Sequence, residues 1–169
     1  MTLLKYSFSL TPVAPAQPAP EARREYVYSE FLLELASKWR QVPVAEDNAL
    51  NFVSDEDGAA IVISVDFFDI PDEQAQGLAE HTLASRITAL QKASQGEVQV
   101  LHREIKPHAS GVGLELSFAA VAEGEHVHLH LGYVTSRKVL GFSMVCQPDR
   151  REAAALFNAT VPHFRPRLP

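Results

Sequence analysis

Three of the chain's seven histidines stand at alternating positions in the run Glu125-His126-Val127-His128-Leu129-His130-Leu131. In a strand this spacing puts the three imidazoles on one face and Val127, Leu129 and Leu131 on the other. Two chemistries suit such a row. A His-x-His pair, about 6.6 Å apart at Cα, can share one metal ion, but His126 and His130, about 13 Å apart, cannot easily join the same one. His102, His108 and Glu115 are of the right type to complete a site, yet nothing in their spacing places them beside the strand. Alternatively, neighbouring imidazoles lower each other's pKa and charge together only in mild acid, giving a pH-sensitive binding face. The third reading is an ordinary polar strand face, partly solvated or lying under a loop, with no metal and no cofactor. We take that one as the expectation.

The flanking hairpins supply the test. With Glu123 and Gly124 as the central turn residues, Val121 falls opposite His126, Ala119 opposite His128 and Ser117 opposite His130. A two-residue turn at Ser136-Arg137 puts Ser143 opposite His130 and Val145 opposite His128. None of these neighbours is a strong metal ligand. The other face is expected to be one apolar block: Leu116, Phe118 and Ala120, then Val127, Leu129 and Leu131, then Phe142, Met144 and Cys146. Cys146, the single cysteine, is then buried and inert, and one cysteine allows neither an internal disulfide nor a cysteine-based zinc cluster.

Other sites are weaker. Gly141-Phe142-Ser143-Met144-Val145 lacks the second glycine of a nucleophile elbow and falls mid-strand. Ser110-Gly111-Val112-Gly113 is too short for a phosphate loop. No carboxylate pair and no nucleophile–base–orienter set stands out. Phe67 and Phe68 are adjacent, so one ring faces each side of their strand. Phe68, Ala119, His128 and Val145 together are the expected partner surface. Trp39, the only tryptophan, reads as a core anchor.

The elements that position these residues follow from periodicity. Residues 11–22 hold four prolines among small residues and read as an extended linker behind a possible edge strand, LLKYSFSL. Residues 1–24 are accordingly an N-terminal arm and residues 25–169 a single domain. Tyr26–Leu35 reads as a strand pair or one long strand, followed by strands at Leu50–Ser54 and Ala59–Phe68 around an Asp55–Gly58 turn. A helix begins near Pro71, with Ala75, Leu78, Ala79, Leu83, Ile87 and Leu90 along one stripe and Gly96 as its stop. Strands at Val98–Lys106, 112–122, 125–135 and 138–147 precede a final helix from Pro148-Asp149. This order predicts an α+β layered domain: a mostly antiparallel six- to seven-stranded sheet flanked by two helices. The charge of −6 argues against nucleic acid or an anionic membrane as partner. No segment is apolar for long enough to span a bilayer and no signal peptide is evident, so the expected location is cytoplasmic.

Tyr28-Ser29-Glu30-Phe31-Leu32-Leu33-Glu34-Leu35, followed by Trp39, resembles the opening strand and tryptophan phrase of the PsbP-like superfamily, which includes the Ran-binding Mog proteins and the bacterial DcrB-like group. Here Ala36-Ser37-Lys38 replaces the usual turn. The Asp55–Gly58 turn, the Ala59–Val65 strand, the helix after Pro71 and the Pro148-Asp149 helix extend the resemblance over residues 26–164. It implies an antiparallel sheet between helices and binding rather than catalysis. Cytoplasmic bacterial members of the group are adaptor chaperones for type VI secretion effectors. The expected function is therefore a non-enzymatic protein-binding domain of that kind, expected as a homodimer. A metal-binding protein or metal-dependent enzyme on His126, His128 and His130 is the alternative. A type III secretion-type chaperone, with its smaller sheet, is more remote.

Overall fold

The structure is a computed structural model and describes residues 22–122 and 126–167. The N-terminal strand, the Pro/Ala-rich linker up to residue 21 and the Glu123-Gly124 turn lie outside the described residues.

Among the described residues, ten strands form two antiparallel sheets, accompanied by two α-helices. β1 (Arg23–Val27) and β2 (Phe31–Ala36) are a hairpin, so the 26–35 segment is a strand pair. β1 opens at Arg23, inside the segment assigned to the arm. β3 (Arg40–Val42), β4 (Ala49–Ser54) and β5 (Ala59–Phe67) follow as a meander. The turn between β4 and β5 uses Gly58 at φ +59, a backbone region that costs glycine nothing. One 3-10 turn leads into α1 (Ala75–Ala93). β6 (Val98–Pro107), β7 (Leu114–Ala122), β8 (His126–Val134) and β9 (Lys138–Cys146) are successive antiparallel strands. α2 (Arg150–Thr160) is capped by Asp149, whose carboxylate accepts from the N–H groups of Arg151 and Glu152. β10 (Phe164–Pro166) ends the chain's described part.

The larger sheet has the order β3-β4-β5-β9-β8-β7-β6, and the smaller one β1-β2-β10. The second sheet departs from the sequence expectation. β3 and β10 are three residues each, too short to carry a periodic signal. Its buried row, Phe31, Leu33 and Leu35, packs with α2 against one face of the large sheet, around Trp39, Phe52, Ile61, Phe142 and Phe164. That face is therefore covered by a sheet and a helix together. Among the described residues α1 alone covers the other face, with Ala79, Leu83 and Ile87 set against Leu116, Phe118, Ala120, Val134 and Val139.

This last list corrects the expected apolar block. β7 pairs with β8 as Ala122↔His126, Ala120↔His128 and Phe118↔His130, one residue away from the expected register. Three residues separate the two strands, where a two-residue turn was expected. Because side chains alternate, the shift moves Leu116, Phe118 and Ala120 onto the histidine face and Ala119 onto the opposite one. β9 keeps the expected register, with Ser143 opposite His130 and Val145 opposite His128.

Candidate functional site

The three histidines share a face but not an environment. His126 is exposed, His128 half-buried and His130 only 1% exposed. The His126 and His128 rings meet edge to face, with centroids 6.3 Å apart. His130 lies beneath α1, stacked on Phe118 at a centroid distance of 5.2 Å, and its Nδ1 is 2.7 Å from Ser143 Oγ. Burial pushes the pKa of His130 well below 6.5, and the nearby Arg86 guanidinium pushes it further the same way. The imidazole is therefore neutral at pH 7, and its Nε2 has no hydrogen-bond partner among the described residues.

Arg86 comes down from α1. Its position follows from the helix period: 83, 86, 87 and 90 fall on one side, so the arginine joins the stripe of Leu83, Ile87 and Leu90. Its Nη2 donates to Ser64 Oγ at 3.3 Å, while its Nε is buried without an acceptor. Burial lowers the Arg86 pKa, and Asp66 on the same face of β5 opposes that at longer range. The sheet beneath is cleared by two glycines paired across β8 and β9, Gly132↔Gly141. A Cβ at Gly141 would stand 2.9 Å from Arg86 Nη2 and 3.2 Å from His130 Cε1, and one at Gly132 would stand 3.2 Å from His130 Nε2. Beside the guanidinium a recess of about 200 Å³ opens between α1 and the sheet, lined by Arg86, Ala89, Leu90, Phe118, His128 and Ser143 among others.

The residues expected to complete a metal site stay apart. His102 reaches Ser117 Oγ and lies 3.7 Å from Glu104; His108 closes a local turn with Ser110; Glu115 faces Lys106. Among the described residues, no group of three or more His, Cys, Asp or Glu side chains is placed to hold a metal ion. Cys146 is buried, and burial together with Asp57 pushes its thiol pKa up to about 11, far from a reactive thiolate.

The expected partner surface is also divided. His128 and Val145 face α1, Ala119 faces the other way, and Phe68 lies past the end of β5. Phe67 is the more exposed ring, at 69% against 38% for Phe68. It continues the Ile61-Ile63-Val65 row beyond the cover of the small sheet, and it borders an apolar recess of about 240 Å³ with Tyr28, Phe31, Leu50, Ile63 and Val65. That row was visible in the sequence as far as Phe67; what was not visible is where its cover stops. A wider cleft of about 650 Å³ lies at the entry to α1, between Asp72, Gln76, Val112, Thr135 and Arg137.

Among the described residues, no helix is long and apolar enough to cross a membrane. No family model matches the chain, and no curated protein matches it significantly. A solved structure does: cyanobacterial PsbP (CyanoP) from Synechocystis aligns at a TM-score of 0.61 and 15% identity, covering 89% of this chain and 96% of that one. The likeness is one of fold, and the fold is PsbP-like.

Proposed function

We propose, with the PsbP-like fold as premise, that this chain is a non-enzymatic protein-binding domain, and that its partner seats an apolar side chain beside Phe67. The supporting observation is the exposed Phe67 ring bordering a recess whose walls are mostly apolar. An exposed aromatic beside an apolar hollow is the usual anatomy of an interface anchor. Asp47 adds an acidic group to the recess, which favours a partner segment that is apolar with a basic flank. The resemblance read in the sequence narrows this to an adaptor or chaperone for type VI secretion effectors.

The test is co-purification from the native host with wild type and Phe67→Ser, with the partner identified and its stoichiometry measured. A stoichiometric partner held by wild type and lost from a folded Phe67→Ser supports the reading. Recovery of no protein partner, with light scattering showing a strict monomer, overturns it.

A further inference from the structure

We propose that the recess between α1 and the β8–β9 pair binds a small oxyanion, a carboxylate or phosphate group, through the Arg86 guanidinium and the Ser143 hydroxyl. The recess lies across the large sheet from Phe67 and does not depend on that reading.

The first argument is a cation short of partners. Arg86 is drawn under α1, where Asp66 is the one carboxylate whose charge it feels; yet among the described residues the two make no direct ion pair, the guanidinium's one hydrogen bond is to a neutral hydroxyl, and its Nε is buried with no acceptor. A buried donor without a partner costs free energy, more so on a charged group. A planar guanidinium is matched by the two oxygens of a carboxylate or phosphate, which accept in parallel.

The second argument is room in the right place. The recess of about 200 Å³ is lined by Arg86 and Ser143. Water takes about 30 Å³ per molecule in the liquid, so the space holds a phosphate or a short carboxylate with water to spare. Beside it, any side chain at Gly141 would press on the guanidinium.

The third argument concerns the second donor. In the tautomer that protonates Nδ1, His130 donates to Ser143 Oγ across their 2.7 Å contact. The serine hydrogen is then free to turn toward the recess. The unprotonated Nε2 lies beside Gly132, where a Cβ would stand 3.2 Å from it. The site thus offers a charged donor and a hydroxyl donor, with Phe118 and Leu90 as walls. That set suits an anion, which accepts from both.

The experiment is an amide-shift titration of the ¹⁵N-labelled full chain at pH 7, with sodium phosphate and separately with sodium acetate, ionic strength being held by sodium chloride. Saturable shifts are expected at Arg86 and its turn of α1, at 128–130 and at 141–143. Affinity should fall about tenfold or more in Arg86→Gln, the scale of one charged hydrogen bond, and a few-fold in Ser143→Ala. Saturation by phosphate alone or acetate alone supports the proposal and identifies the group. No saturable shift with either anion in the millimolar range overturns it, as does unchanged affinity in Arg86→Gln. Should Arg86→Gln fail to fold, the wild-type titration and Ser143→Ala decide: undiminished binding in Ser143→Ala then overturns it.

Discussion

Toward the small sheet and α2, strands β8 and β9 present Val127, Leu131, Phe142 and Met144, all buried in apolar company. Toward α1, the same strands present His128, His130, Gly132, Gly141 and Ser143. Both unpartnered buried side-chain atoms among the described residues, Arg86 Nε and His130 Nε2, belong to the α1 side. The first face gains stability from every side chain it closes over. The second gives some of it up, since each orphan atom loses water without recovering a hydrogen bond. A domain selected for stability alone would fill that space with aliphatic residues, so the polar inclusions mark the α1 face as the one shaped by something besides folding.

The contrast can be broken most strongly at Phe142. It is fully buried between Phe157 and Phe164, at centroid distances of 6.0 and 5.1 Å. Phe142→Ala should cost about 3–5 kcal/mol in urea unfolding, and a loss below about 1 kcal/mol would mean this face is not the main source of stability. On the α1 face, Gly141→Ala should cost less, about 1–3 kcal/mol, because the new Cβ meets the movable end of Arg86 at 2.9 Å. A neutral result there would show that the guanidinium has another place to go.

The smallest and most diagnostic effect is in pH. His130 has a folded pKa well below 6.5, so below pH 6.5 the unfolded chain takes up a proton that the folded chain refuses. Stability contributed by the neutral imidazole is intact above pH 6.5 and falls as pH drops, by at most about 1.4 kcal/mol per pH unit until the folded pKa is reached. His130→Gln should flatten this part of the stability–pH curve measured by chemical denaturation between pH 7 and pH 5. An unchanged curve would mean that His130 is not the group responsible.

The sequence carried the layering well and the faces less well. The odd row of β5, the stripe of α1, the Asp149 cap and the β8–β9 register all depend on local spacing, and local spacing survives into the structure. The β7–β8 register depends on one connection, and its extra residue was enough to exchange Phe118 for Ala119 beside the histidines. The histidine row was legible, but its burial was not, because burial is decided by a helix that begins 51 residues before His126 in the chain. Arg86 was hidden for a different reason: its charge argued for solvent, while its helical position, three residues after Leu83, argued for the sheet.

The small sheet has a consequence for truncation. β2 is the central strand, and Phe164↔Leu33 joins it to a strand far along the chain. Lys138 tightens that closure, with its ammonium donating to Glu30 at 2.5 Å and to the carbonyl of Arg167. A chain truncated shortly before Phe164 therefore leaves that flank of β2 without its partner strand, an open edge beside Phe31, Leu33 and Leu35 that invites pairing with another chain.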